Sequence, residues 1–262
     1  MNPPVHTLHQ GTLPLLISIP HGGEILPEAY ARRMTHAAQA VADTDWHLPR
    51  LYAFARAMGA SVLQANYSRY VIDLNRPSTG ESLYPGQTTT GLCPLETFRG
   101  EPLYTDGRGP DAQETADRVA TYWQPYHQAL RQELDRLRAR HGKVLLWEAH
   151  SIASQLPRLF DGELPGLNLG TFDGAASDPA LAAAAVAAAQ AGPHSWVLNG
   201  RFKGGYITRH YGQPGQGVHA VQLEMAQCLY MDESAPYAYR EDRAAQVLPT
   251  LEAMVRATLG AL

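Results

Sequence analysis

The sequence predicts an α/β protein, a single domain over residues 1–262 in which helices flank a mixed, mostly parallel sheet. Three observations lead there. Apolar runs of strand length, among them 15–19, 144–149 and 218–225, alternate with segments of helical period such as 111–140 and 240–262. Two of the runs deliver a histidine at their carboxyl ends, where open α/β sheets place their chemistry. A chain of 262 residues suits one such domain with long loops better than two small ones.

Hydrophobic residues make up 45% and charged residues 18%, ordinary proportions for a globular chain with a sizeable core. Formal net charge is -4, so no global positive field recruits nucleic acid or an anionic membrane, and any anion site must be local. Cys93 and Cys228 lie in no CxxC pair, which excludes a disulfide framework. The first ten residues lack a basic segment followed by an apolar core, so the expected location is cytoplasmic.

Taken in order, 13–19 reads as a strand closed by Pro20-His21-Gly22-Gly23, a turn in which the glycines let backbone approach a ligand closely. Glu24 stands three residues after His21, a spacing that can supply two metal ligands but occurs often by chance. Asp43-Thr44-Asp45-Trp46 precedes a helical pattern of Leu48, Leu51, Tyr52, Ala55 and Met58 that Gly59 ends. Asp43 is the expected cap, which leaves Asp45 to point elsewhere, although capping alone also accounts for the pair. Residues 61–67 form the next strand candidate. Residues 68–77 read as a short extended segment between Arg69 and Arg76, in which Asn75-Arg76 offers a planar fork beside an amide donor for a carboxylate.

Residues 78–110, rich in Gly, Pro and Thr, form a long loop whose aromatic content favours an ordered lid or wall. A long helix is expected over 111–140, kinked at Pro125 and ended by Gly142, with His127 on its partly exposed face. The strand over 143–149 then leads into His150, and Glu148 shares that residue's face as an acceptor for it. Residues 157–174 look like loop. Asp178-Pro179 opens an alanine-rich helix to Ala191 that helix propensity explains and that is too short for a membrane span. After a strand at 196–199, residues 200–212 gather Arg201, Lys203, Arg209, aromatics and glycines in a flexible loop, a local anion site in an acidic protein. The last strand, 218–225, puts Glu224 at its end as a candidate general base, and 240–262 is an amphipathic helix.

Two strand-end histidines, an acidic residue near a helix start, a late glutamate and several loop arginines make up the parts of a hydrolytic zinc site. Serine and cysteine nucleophiles are weaker readings, because no Gly-x-Ser-x-Gly turn occurs and neither cysteine sits in a suggestive context.

The motifs Pro20-His21-Gly22-Gly23, Asp43-Thr44-Asp45-Trp46, Ser68-Arg69-Tyr70-Val71-Ile72-Asp73-Leu74-Asn75-Arg76-Pro77, Leu83-Tyr84-Pro85-Gly86, Ala149-His150-Ser151-Ile152 and Arg201-Phe202-Lys203-Gly204-Gly205-Tyr206-Ile207-Thr208-Arg209 resemble those of the N-formylglutamate amidohydrolases, through nearly the whole chain. The resemblance implies a fold like the zinc-dependent exopeptidases and hydrolysis of N-formyl-L-glutamate to formate and L-glutamate, the end of one bacterial route of histidine degradation. It implies a zinc ion on His21, Asp45 and His150, with Glu224 as base. The small dicarboxylate substrate is expected to meet Arg69, Asn75, Arg76, Arg201, Lys203, Tyr206 and Arg209. Carboxypeptidase-like enzymes would nominate Glu24 as the third ligand, whereas related cell-wall amidases nominate Asp45. Asp45 is preferred because the acidic residue before Trp46 belongs to the family motif. Two other readings stand beside this one: a zinc amidase or carboxypeptidase for another acyl amino acid or a peptidoglycan peptide, and a non-catalytic dicarboxylate-binding protein.

Overall fold

The computed structural model describes residues 3–83 and 89–262. Among these residues one sheet runs in the order β1-β3-β2-β4-β7-β5-β6. The strands are β1 (His6–His9), β2 (Leu15–Ile19), β3 (Ser61–Ala65), β4 (Val144–Ile152), β5 (Leu167–Gly170), β6 (Trp196–Leu198) and β7 (Val218–Ala226). β3, β2, β4 and β7 are parallel neighbours, β1 and β5 join antiparallel, and β6 pairs parallel with β5. The expected mixed, mostly parallel sheet is therefore present. The helices are α1 (Glu28–Ala31), α2 (His36–Gln39), α3 (Leu48–Leu51), α4 (Ala53–Met58), α5 (Ala112–Arg118), α6 (Gln124–His141), α7 (Pro179–Ala191), α8 (Tyr206–Tyr211) and α9 (Glu241–Gly260). No helix among the described residues is long and apolar enough to cross a membrane.

Side-chain alternation divides the core. Leu15, Ile17 and Ile19 of β2, Leu145, Trp147 and Ala149 of β4, and Val221, Leu223 and Met225 of β7 pack on the side of α3, α4, α7 and α9. Leu16, Leu146 and Ala220 face α6 and α8 instead. Trp147 is fully buried and donates its indole N–H to Tyr52 Oη at 2.9 Å, so the largest core side chain leaves no orphan donor.

Several local expectations change in the folded chain. β1 and β5 escape sequence reading because His-Thr-Leu-His and Leu-Asn-Leu-Gly carry little strand pattern of their own, and pairing with β3 and β7 makes them strands. Residues 68–77 are a succession of turns, not an extended segment, because Asp73 Oδ1 accepts the Asn75 N–H at 2.9 Å and the Val71 N–H bonds to Ser68 O. Asp43 caps no helix. α3 starts after His47, whose φ is 61°, and the Asp43 carboxylate accepts the Phe98 N–H at 2.8 Å. The helix expected over 111–140 is capped by Asp111 and broken by a π-helical stretch, Val119–Trp123, just before Pro125, whose missing N–H is harmless in the first turn of α6. His127 is buried rather than partly exposed, bonded to Leu74 O at 2.8 Å and to Tyr211 Oη at 2.9 Å. The supposed flexible loop 200–212 contains α8. Tyr84, Pro85 and Gly86 of the quoted motif lie outside the described residues.

Candidate active site

On the α6/α8 face of the sheet, the side chains change from apolar to polar along the parallel strands. Leu16 is followed by Ser18, Leu146 by Glu148 and His150, and Ala220 by Gln222 and Glu224, all buried. The opposite face stays apolar as far as Ile19, Ala149 and Met225, with Ser151 following Ala149 at the end of β4. The polar set thus collects at the carboxyl ends of β2, β4 and β7, and His150 and Glu224 are register partners across β4 and β7.

The turn after β2 brings His21 to this end, and the segment before α3 brings Asp45. One ligating atom from each of His21, Asp45 and His150 lies within 4.8 Å of the others, and all three residues are buried. Both histidines turn Nδ1 toward Asp45, at 3.8 Å from His21 and 3.0 Å from His150 to Oδ2. Both give Nε2 to a carboxylate behind them: His21 to Asp73 at 2.7 Å and His150 to Glu148 at 2.8 Å. Such partners fix tautomer and ring orientation. Asn75 Nδ2 also lies 3.1 Å from His150 Nε2, but Asn75 Oδ1 accepts the Ile207 N–H at 2.8 Å, which fixes the amide's orientation. With His150 Nε2–H directed to Glu148, two donors face one another, so this contact is a neighbour relation and not a hydrogen bond. Glu24 is exposed and stands outside the cluster.

The charges around the cluster are unbalanced. Asp45, Asp73, Glu148 and Glu224 are all buried against one buried guanidinium, Arg69, which holds Asp73 at 2.7 Å and Asp45 at 3.6 Å. Burial alone would lower Arg69, and the carboxylates Asp73, Asp45 and Asp43 more than offset it. Burial opposes ionisation of Asp73, yet His21 and Arg69 hold it well below the usual carboxylate range. Burial would also lower His150, but Glu148 and Asp45 raise it well above an ordinary imidazole. Glu224 is pushed upward, first by burial and then by the charges of Asp45 and Glu148, against the pull of His150 and Arg69.

The donors fit a divalent metal such as zinc. His21 Nδ1 and Asp45 Oδ1 are buried without a hydrogen-bond partner, and His/His/Asp is a common catalytic zinc set.

The substrate candidates separate into two groups. A cavity is lined by His21, His150 and Glu224 together with Arg69, Asn75, Arg76 and Arg201. Arg76 is held by Nε on Thr90 O at 2.9 Å and by Nη1 on its neighbour Asn75 O at 3.1 Å, while Arg201 Nε donates to Leu159 O at 3.1 Å. Thr89, Thr90 and Phe98 also line this cavity, so described parts of the 78–110 loop form a wall. The other candidates are not brought to that lining. Lys203 pairs with Asp173 at 3.0 Å in a half-exposed position, and Arg209 donates to Gly204 O and Leu83 O and lies over Phe172. Tyr206 stacks on His210 at 4.9 Å.

Asp73 and Thr208 were missed as individual site residues. Asp73 sits four residues after Arg69, the spacing that joins them, but its bond to His21 is long-range and invisible in sequence. Thr208 Oγ1 donates to Glu148 Oε2, tying α8 to the carboxylate behind His150. Gly205 makes that close fit possible, since a Cβ there would lie 2.2 Å from Asn75 Nδ2.

Fold and site together define an α/β protein of hydrolytic type, with a cluster able to hold a metal beside a buried glutamate. Residues 13–231 match the family model for N-formylglutamate amidohydrolase, and the chain belongs to that family. An N-formylglutamate deformylase of Pseudomonas putida is 53% identical over 256 residues, 97% of this chain and 96% of the relative. A protein of the same name from Pseudomonas aeruginosa is 58% identical over 242 residues, 92% and 90% of the two chains. Among solved structures, the N-formylglutamate amidohydrolase of Ralstonia eutropha JMP134 superposes with a TM-score of 0.81 at 24% identity, covering 97% of this chain and 96% of that one. A gene product of Agrobacterium tumefaciens reaches 0.74 at 18% identity, covering 97% and 94%. These two likenesses concern the fold.

Proposed function

We propose that residues 1–262 form one catalytic domain that hydrolyses N-formyl-L-glutamate to formate and L-glutamate. The observation that carries this reading is the placement of Glu224 beside the His21–Asp45–His150 cluster in a cavity lined by Arg76 and Arg201. Membership of the N-formylglutamate amidohydrolase family and two deformylase relatives support the substrate.

His21, Asp45 and His150 would hold one zinc ion, which would polarise the formyl carbonyl and acidify water. The substrate is a small dianion, and burying it demands counter-charges. Arg76 and Arg201 supply them at the cavity wall, and the Asn75 amide adds a donor beside Arg76. Arg69, already lying between Asp45 and Asp73, directs positive charge toward the oxygen on which charge develops. Glu224 accepts a proton from the attacking water and delivers it to the amide nitrogen as the C–N bond breaks. Water oxygen ends on formate, and the nitrogen leaves as the ammonium of L-glutamate. Lys203, Tyr206 and Arg209 shape the 200–212 segment and do not meet the substrate directly. In this reading the step ends a bacterial route of histidine degradation and takes place in the cytoplasm.

The test is to load purified protein with zinc, count metal per chain and assay formate from N-formyl-L-glutamate. The expected result is about one metal per chain and formate release. A metal-loaded protein that releases none would exclude the substrate, and binding of the dicarboxylate without turnover would favour a non-catalytic binding protein.

A further inference from the structure

The active-site cavity shares a wall with a second cavity. Phe98, Ser151 and Ile152 line both, and the far side is formed by residues that include Ala42, Leu156, Gln227 and Tyr237. Phe98 is fixed from three directions. Its N–H is held by Asp43 at 2.8 Å, the Arg69 guanidinium lies 4.6 Å from its ring centre, and Ile152 and Leu156 pack around it. Ser151 is equally constrained: its N–H donates to Asp45 Oδ2 at 3.2 Å and its Oγ accepts from Tyr230 Oη at 2.6 Å.

This wall stands close to the place where the amide is cut, because Arg69 and Ser151 both touch it and both reach Asp45. The amide has two halves. The amino-acid half carries two carboxylates and must face Arg76 and Arg201. The substituent on the carbonyl carbon therefore points away from that half, and of the cavity's uncharged lining, Phe98, Ser151 and Ile152 are the part that also borders the second cavity.

We propose that Phe98 and Ile152 set the size of the acyl group that the enzyme removes, and that this wall restricts the natural substrate to a formyl amide. A hydrogen on the carbonyl carbon clears the Phe98 ring, whereas a methyl or ethyl group meets a side chain that cannot swing aside. The second cavity lies directly behind, so opening the wall creates room for a short N-acyl chain. Phe98 is thus a specificity-determining residue, and the inference rests on the amide hydrolysis described above.

The experiment compares kcat/KM for N-formyl-, N-acetyl- and N-propionyl-L-glutamate in zinc-loaded wild type, Phe98→Ala and Ile152→Ala. Ratios are the readout because loss of the Phe98 ring also loosens Arg69 and slows every substrate. The acetyl-to-formyl ratio should rise about 10-fold or more in both variants, the scale on which an apolar pocket discriminates one carbon. Metal content should stay unchanged, since neither side chain touches the cluster. Ratios within about two-fold of wild type in the folded variants would overturn the proposal. Ile152→Ala opens the wall from β4 and carries the test alone should Phe98→Ala misfold. Wild type inactive on all three amides would instead remove the hydrolytic reading and this inference with it. Active wild type with unmoved ratios removes the inference only.

Discussion

His21 Nε2 and Asp73 Oδ1 lie 2.7 Å apart, and that bond turns the other ring nitrogen of His21 toward Asp45. Asp73 also holds Arg69 and the turn at Asn75, so one carboxylate orders His21, the Arg69 guanidinium and the turn that leads into Arg76. Asp73→Asn should weaken zinc affinity about 10–100-fold, the usual consequence of losing the carboxylate behind a ligand histidine. Competition with a chromophoric chelator measures it. Wild-type affinity in that variant would mean that Asp73 serves Arg69 alone.

His150 has its own support, and it reaches the outer helix layer. Thr208 donates to Glu148, which accepts from His150. Thr208→Val leaves Glu148 buried with one donor fewer, so zinc affinity should fall by about 10-fold, and Thr208→Ser should restore it because only the hydroxyl matters. Equal loss in both variants would point to packing of the threonine methyl instead.

The division of cations predicts contrasting kinetics. Arg76→Gln removes a charge-assisted contact at the cavity and should raise KM for N-formyl-L-glutamate about 10–100-fold with a smaller change in kcat. Lys203 pairs with exposed Asp173, so Lys203→Gln should leave KM within about two-fold. A large effect at Lys203 would place a substrate carboxylate at the surface end of the 200–212 segment.

Stability should depend on pH through a residue away from the chemistry. Burial pushes the His127 imidazole down from 6.5 to about 3, against the opposing bond to Leu74 O. Above the unfolded value both states are neutral there. Below it the unfolded chain takes a proton that the folded chain refuses, so stability falls with pH until the folded value is reached. The slope from this one group approaches 1.4 kcal/mol per pH unit, about one pKa unit's worth. Urea midpoints for wild type and His127→Gln, followed from about pH 7 to pH 4, should converge as pH falls. Parallel curves would show that His127 protonates in the folded protein without cost.

The central strands were legible because burial on both faces writes itself as unbroken apolar runs, and the turn to polarity at Ser18, Glu148 and Gln222 marks their carboxyl ends. β1 and β5 were not, since four residues of ambiguous composition become strands only against a neighbour. His21, Asp45, His150 and Glu224 could be picked out singly from their places at element ends. Their supports could not: Asp73 and Thr208 act through bonds spanning 52 and 60 residues, and sequence spacing holds no record of either. The same limit explains Asp43, which reads as a helix cap and instead anchors Phe98, 55 residues away.

In the proposed reaction Glu224 carries the proton beside a metal held by His21, Asp45 and His150. The most direct measurement is formate release by Glu224→Gln with its zinc content determined on the same sample. The expected result is about one zinc per chain, as in wild type, and a kcat lower by about 10²–10⁴-fold, because the ligands are untouched and the proton carrier is gone. Near-wild-type turnover by the zinc-loaded variant would contradict it.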